Sequence, residues 1–192
     1  MSAMLVYLHG FNSSPQSHKA QLLGRHLAEL GLAERFFCPE LPVEADAAVG
    51  LVERWIARHV SRPLCFVGSS LGGFYATYLV EKHGGKAVLI NPAIEPHVGL
   101  RAYLGPQWNL YSGEPYELTE KHLEQWARLA VPAITPERYL LLVETGDEVL
   151  DYRAAVERYA GAEQVVVPGG DHSLQSFPEH LPRILRFAGL AG

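Results

Sequence analysis

Leu64-Cys65-Phe66-Val67, followed without a break by Gly68-Ser69-Ser70-Leu71-Gly72-Gly73, is the stretch whose reading decides the fold. Four consecutive apolar residues indicate a strand buried on both faces, because a strand with one wet face alternates apolar and polar residues instead. Helix-forming residues then run over Gly72–Lys82 until Gly84-Gly85 stops them. Strand, tight turn and helix thus follow one another, and the turn fits G-x-S-x-G with Ser70 at its centre. The string alone is weak; its flanks give it meaning. A sharp strand-to-helix turn forces the central serine into a strained backbone conformation, and glycines beside it keep neighbouring side chains from clashing. The serine Oγ then projects above the sheet, over a helix N-terminus that favours developing negative charge. Ser69 is a poor rival, since its frame would need glycine at Val67 and Leu71. The structural alternative is a Gly/Ser-rich loop that feeds a helix and binds phosphate.

The same rhythm of short apolar runs and amphipathic stretches extends outward in both directions. Upstream, Leu5–Leu8 is expected as a strand, Ser17–Leu30 as a helix with Ala20, Leu23, Leu27 and Leu30 on one face, and Arg35–Cys38 as a weaker strand ended by Pro39. Ala45–Val60 follows as a helix with Val49, Val52, Ile56 and Val60 inward. Downstream come the strand Ala87–Ile90, the strand Tyr139–Val143, the helix Tyr152–Tyr159, the strand Gln164–Val167 and a last helix, Leu181–Leu190. Six strands alternating with helices predict an α/β fold, a six-stranded parallel sheet with helices on both faces. The chain of 192 residues is expected to form one domain over 1–192. One stretch breaks the rhythm. Between Ile90 and Tyr139 lie residues 91–138, holding Tyr103, Trp108, Tyr111, Tyr116 and Trp126 and one helix, Thr119–Ala130, with Leu123, Trp126 and Ala130 inward. An insertion of this length, with its core at about 94–136, is expected to be a small lid, with those five aromatics lining or covering a substrate pocket or forming the lid's own core.

Composition narrows the partners. The formal net charge is −5 and no basic run is present, which argues against nucleic acid or an anionic membrane as partner. No apolar stretch is long enough to span a membrane, and the first run, Leu5–Leu8, is too short for a signal peptide, so a cytoplasmic location is expected. Cys38 and Cys65 have neither Cys-x-x-Cys nor zinc spacing and are expected as reduced buried thiols; neither a metal nor a cofactor is called for.

A serine hydroxyl needs a base. Of nine histidines, His172 stands apart: it lies just past the last strand, after Gly169-Gly170, where a loop can carry it over the carboxyl edge of the sheet. Ligands and catalysis in open α/β sheets sit at that edge. The base in turn needs a carboxylate to orient it. Asp147 follows Gly146 in the turn after the penultimate strand and fits the chain order Ser, Asp, His, with Glu148, Asp151 and Asp171 as competitors. Asp151 is expected to cap the helix that starts near Tyr152. For an oxyanion, the N–H of Leu71 and that of Phe11, in the His9-Gly10-Phe11-Asn12 loop after the first strand, are the expected donors, with His9 itself structural.

These strings resemble the YqiA-like esterases (UPF0227 type), a compact branch of the α/β-hydrolases. The resemblance rests on Tyr7-Leu8-His9-Gly10-Phe11-Asn12-Ser13-Ser14-Pro15, on Gly68 to Thr77, on Leu89-Ile90-Asn91-Pro92-Ala93, on Thr145 to Tyr152 and on Gly169-Gly170-Asp171-His172-Ser173. It implies a compact α/β-hydrolase with strand order 2-1-3-4-5-6. It also implies hydrolysis of small-molecule acyl esters, with acyl-CoA thioesters as an extension, through an acyl-enzyme on Ser70. Two other functions compete: a different reaction on the same residues, such as C–C bond hydrolysis, and a hydrolase-like protein that only binds a small molecule.

Overall fold

The computed structural model of the chain describes residues 3–59 and 62–190. In chain order its elements are β1 (Met4–Leu8), α1 (His18–Glu29), β2 (Phe36–Phe37), α2 (Ala45–His59), β3 (Leu64–Ser69), α3 (Leu71–His83), β4 (Lys86–Ile90), α4 (Pro96–Gly99), β5 (Gly105–Trp108), β6 (Pro115–Leu118), α5 (Glu120–Leu129), β7 (Tyr139–Glu144), α6 (Tyr152–Arg158), β8 (Glu163–Val167) and α7 (Phe177–Ala188). Six strands form a sheet in the order β2-β1-β3-β4-β7-β8, every pairing parallel. Counting only the sheet's own strands, this is the order 2-1-3-4-5-6.

Side-chain alternation explains why the strands are apolar without a break. Val6, Leu8, Phe66, Leu89, Leu141 and Val143 pack on one face against α2, α3, α5 and α6. Their neighbours Leu5, Tyr7, Val67, Val88, Ile90 and Leu142 pack on the other against α1 and α7. Both faces are covered, so both sets must be apolar. Helix α3 starts directly beneath the β3 turn and is buried from Leu71 through Thr77, which seats it as the most enclosed helix of the molecule's centre.

Several boundaries differ from expectation, each for a local reason. The Arg35–Cys38 strand shrinks to two residues, Phe36 and Phe37, paired with Leu5 and Val6 at the sheet edge, because Ala33–Arg35 turn as a 3-10 helix. Leu30 lies past the end of α1 and is exposed rather than inward. On α5, Leu129 is buried and Ala130 is exposed beyond the helix end. The last helix begins one turn early, at Phe177 instead of Leu181, and stops before Gly189, which is left-handed at φ 75°. Pro182 therefore sits inside α7, where it lacks an N–H for a backbone bond. Val60, expected on the inward face of the second helix, lies outside the described residues.

The insertion holds more structure than its one expected helix. Residues 91–138 contain α4, a 3-10 turn at Leu100–Tyr103, an antiparallel hairpin of β5 and β6, and α5. Pro106 and Pro115 on its strands hide the hairpin from a pattern search, since proline is a poor strand signal. Cys38 is half-buried, Cys65 is buried, and burial pushes both thiols up to about 12. Among the described residues no helix is long and apolar enough to cross a membrane.

Candidate active site

The carboxyl ends of β3 and β7 and the loop after β8 converge over the middle of the sheet. Ser70 leaves β3 with φ 54° and ψ −119°, a left-handed conformation that costs a non-glycine residue on the order of 1–3 kcal/mol. The turn is possible only because its neighbours have no side chains. A Cβ on Gly72 would lie 1.9 Å from the Leu8 carbonyl oxygen, and one on Gly68 would lie 2.3 Å from that of Gly72. Both are collisions with backbone, which cannot step aside. The Ser70 N–H donates to the Ile90 carbonyl at 3.0 Å, and the Ser70 carbonyl accepts from Gly73 and Ala93.

His172 Nε2 lies 3.1 Å from Ser70 Oγ. On its other side Nδ1 lies 2.9 and 2.8 Å from the two carboxylate oxygens of Asp147. The Asp147 side chain is 1% exposed. Its Oδ1 also accepts the N–H groups of Val149 at 2.8 Å and Leu150 at 2.9 Å. Burial alone would raise its pKa; the hydrogen bonds from His172, Leu150 and Val149 outweigh that and hold the carboxyl below the usual range. The competing carboxylates do other things. Glu148 Oε2 accepts the backbone N–H of His172 at 3.0 Å, Asp171 accepts from Ser173 and Gln175, and Asp151 caps α6 through the Arg153 N–H at 3.0 Å.

Leu71 follows Ser70 at the start of α3, and Phe11 lines the same cleft as Ser70. A Cβ on Gly10 would touch Ser70 Cβ at 3.3 Å, so the loop bearing Phe11 runs directly against the Ser70 turn. Among the described residues neither the Phe11 nor the Leu71 N–H has a hydrogen-bond acceptor. His9 is buried and fixes this loop: its Nε2 accepts the Leu41 N–H at 3.0 Å while Nδ1 donates to the Gly10 carbonyl at 3.1 Å. Burial lowers its pKa, in keeping with a neutral ring that both donates and accepts.

The insertion hairpin is latched to the same loop. Tyr116 donates to Asn12 Oδ1 at 2.5 Å, Asn12 donates to Gln107, Asn109 Nδ2 donates to the Ser13 carbonyl, and the Leu110 N–H donates to the Asn12 carbonyl. A cleft of about 650 Å³ opens over Ser70 and His172, with Phe11, Lys19, Leu110, Tyr111, Glu148 and Phe177 among its walls. Of the five aromatics expected around a pocket, only Tyr111 reaches this cleft. Trp126 is fully buried and donates to the Tyr75 hydroxyl at 2.8 Å, so it belongs to the core. Tyr116 lies beside it, behind the Phe11 loop. Tyr103 and Trp108 are exposed, Tyr103 with its ring edge-on to Phe11 at 6.1 Å.

A family model described as "Uncharacterised protein family (UPF0227)" matches residues 4–189. The chain belongs to that family. Solved structures agree with its fold. A protein from Agrobacterium vitis S4 superposes with a TM-score of 0.77 at 19% identity, over 97% of this chain and 88% of its own. Est1E from Butyrivibrio proteoclasticus, in a structure with ferulic acid bound, gives 0.71 at 14% identity, over 96% and 87%. The mouse alpha/beta hydrolase domain-containing protein 10 gives 0.72 at 15%, over 97% and 88%. The fold is that of the α/β-hydrolases.

Two positions that sequence reasoning missed hold the site together. Asn91, buried and left-handed at φ 39°, donates through Nδ2 to the carbonyls of both Asp171 and His172, and its Oδ1 accepts the Glu144 N–H at 3.1 Å. Glu144, 1% exposed, sits at the end of β7. The available signal was its position: a charge that prolongs a buried apolar strand must have a partner.

Proposed function

We propose that this chain is a serine hydrolase acting on carboxylic esters, with Ser70 as nucleophile, His172 as general base and Asp147 as the carboxylate that orients the base. The observation that carries this reading is the unbroken run of contacts from Ser70 Oγ through His172 to Asp147 on a strained strand-to-helix turn. In the reaction Ser70 Oγ attacks the ester carbonyl while its proton passes to His172 Nε2. Asp147 stabilises the imidazolium that forms. The Phe11 and Leu71 N–H groups receive the oxyanion, each worth about 3 kcal/mol in the transition state. His172 then gives the proton to the departing alcohol, leaving an acyl-enzyme that water cleaves by the same steps in reverse.

Esters of uncharged alcohols fit better than acyl-CoA thioesters. The cleft wall offers one lysine, Lys19, whose Nζ already donates to the Ser173 carbonyl at 2.8 Å, and it also carries Glu148. Such a wall gives little to the phosphates of a coenzyme A tail. Leu110, at the cleft mouth, is 80% exposed, so a long acyl chain would extend into water; short acyl esters should turn over faster than C16 esters. The ferulic acid bound by Est1E makes aromatic acyl esters part of the same substrate panel.

The test is covalent labelling with a fluorophosphonate, followed by a panel of p-nitrophenyl esters from C2 to C16. Labelling should map to Ser70, and Ser70→Ala should lose label and at least 10⁴-fold in kcat while remaining folded. Ester hydrolysis undiminished in folded Ser70→Ala would sink the proposal.

A further inference from the structure

Buried carboxylates are rare because desolvation disfavours the charge, and they persist where several donors converge on them. Glu144 is such a case. Its Oε2 accepts the N–H groups of Asp171 at 2.8 Å and Gln175 at 3.0 Å. Its Oε1 accepts the Ser176 N–H at 2.8 Å and the Ser176 hydroxyl at 2.6 Å. Burial would raise its pKa, and these bonds outweigh that and hold it low, so it is a carboxylate in the folded protein. All four donors belong to residues 171–176, the segment that carries His172. No donor from any other segment is bonded to this carboxylate among the described residues.

Neighbouring residues are shaped to the same arrangement. Gly170, just before the segment, has φ +68°, and a Cβ there would lie 1.8 Å from Glu144 Oε2. A side chain at 170 would therefore drive the carboxylate out. Asn91 holds the Asp171 and His172 carbonyls from below while accepting the backbone N–H of Glu144, so strand β7 and the loop are joined at two levels. Lys19 ties the Ser173 carbonyl to α1. Among the described residues the His172 ring itself is held only at Asp147 and Ser70; where the ring can be is set by where this backbone lies.

We infer that Glu144 is a positioning residue for His172: its carboxylate organises the 171–176 loop so that Nε2 lies within reach of Ser70 Oγ while Nδ1 stays on Asp147. It touches neither substrate nor the reacting atoms. The inference rests on the proposed role of His172. Glu144→Gln keeps the size but puts an NH₂ where two donors need an acceptor, whichever oxygen it replaces. The loop must then shift, and displacement of a catalytic group by about 1 Å costs about 10²-fold.

The experiment pairs kinetics with a readout that needs no substrate. A histidine Nδ1–H bonded to a buried carboxylate gives a far-downfield proton resonance, assigned to His172 by its absence in His172→Ala. In Glu144→Gln this resonance should shift or broaden away, and kcat for p-nitrophenyl butyrate should fall 10- to 100-fold with KM within about threefold. Ser176→Ala, which removes one of the four donors without touching the buried charge, should fall about fivefold in kcat, as one hydrogen bond predicts. It serves as the deciding variant if Glu144→Gln does not fold. An unmoved resonance with wild-type kcat in folded Glu144→Gln, or in Ser176→Ala where Glu144→Gln is unfolded, overturns the inference. A wild-type protein that shows the resonance, loses it in Glu144→Gln and cleaves no ester would instead refute the proposed function and leave the positioning role standing.

Discussion

Replacing Asp147 by asparagine tests the proposed chemistry most directly, because the outcome follows from which oxygen bonds to what. Oδ1 accepts two backbone N–H groups, from Val149 and Leu150, besides its contact with His172; among the described residues Oδ2 is hydrogen-bonded only to His172 Nδ1, at 2.8 Å. An asparagine in this place puts its single oxygen at the Oδ1 position, where two donors need it. Its NH₂ then occupies the Oδ2 position and points at Nδ1. Two N–H groups cannot face each other at that distance, so the imidazole gives up its Nδ1 proton and carries it on Nε2 instead. Nε2, 3.1 Å from Ser70 Oγ, then has no lone pair to accept the serine proton. The expected loss is about 10⁴-fold in kcat, or roughly 5.5 kcal/mol of barrier. The fold should survive, since both backbone N–H groups keep their acceptor. Asp147→Ala, by contrast, should also lose about 1–3 kcal/mol of stability from the two orphaned bonds. The assay is kcat with p-nitrophenyl butyrate at saturation, with thermal unfolding followed by circular dichroism. Glu148→Gln keeps an acceptor for the His172 N–H and should stay within about tenfold of wild type. If Asp147→Asn folds normally and keeps more than a tenth of wild-type kcat, or if Glu148→Gln is the inactive one, the tautomer argument is wrong.

Three further outcomes are expected. Trp126→Ala should cost about 3–5 kcal/mol in stability, because the ring is fully buried, whereas Tyr111→Ala should leave stability within about 0.5 kcal/mol and raise KM; urea unfolding and steady-state kinetics on both variants separate core from cleft wall. Tyr116→Phe removes the hydroxyl that holds Asn12 and should lower kcat about fivefold with little change in fold, and a wild-type kcat would show that the hairpin latch is irrelevant to the Phe11 loop. For Glu81, burial would raise the pKa, but the bonds from Tyr139 and Thr135 and the charge of Arg138 hold it low. A carboxyl lowered by folding contributes stability above its unfolded value, near 4.3, and loses that contribution as pH falls through its folded value. Unfolding free energy should therefore drop less between pH 5 and pH 3 in Glu81→Gln than in wild type, and equal drops would refute the assignment.

How much of this molecule can be read along the chain depends on the range of the interaction concerned. The strands β1, β3, β4 and β7 were legible to within a residue or two because continuous apolar runs report burial on both faces directly; β8, at the sheet edge and only partly buried, was legible from its β-branched run Val165-Val166-Val167. The edge strand β2 was overextended, since its two paired residues depend on what β1 offers rather than on their own pattern. The start of α7 was misplaced because Pro178 and Pro182 suggest a boundary between them, while packing of Phe177 into the core pulls the helix one turn earlier. The hairpin of β5 and β6 was invisible; its strands alternate weakly and are held by hydrogen bonds to residues 12 and 13, almost a hundred positions away.

The sequence by itself determined the alternation of strand and helix, the strained turn at Ser70 and the order in which serine, aspartate and histidine occur, because each is written in local pattern and in glycines that no other residue could replace. Only the tertiary structure decided that Asp147 rather than Glu148, Asp151 or Asp171 meets the histidine ring, that Glu144 and Asn91 hold the loop beneath it, and that Trp126 belongs to the core while Tyr111 faces the cleft. The reason is distance along the chain: these contacts join residues 25 to 102 positions apart, and a side chain's direction at such a meeting is set by the packing of the strands that bring it there.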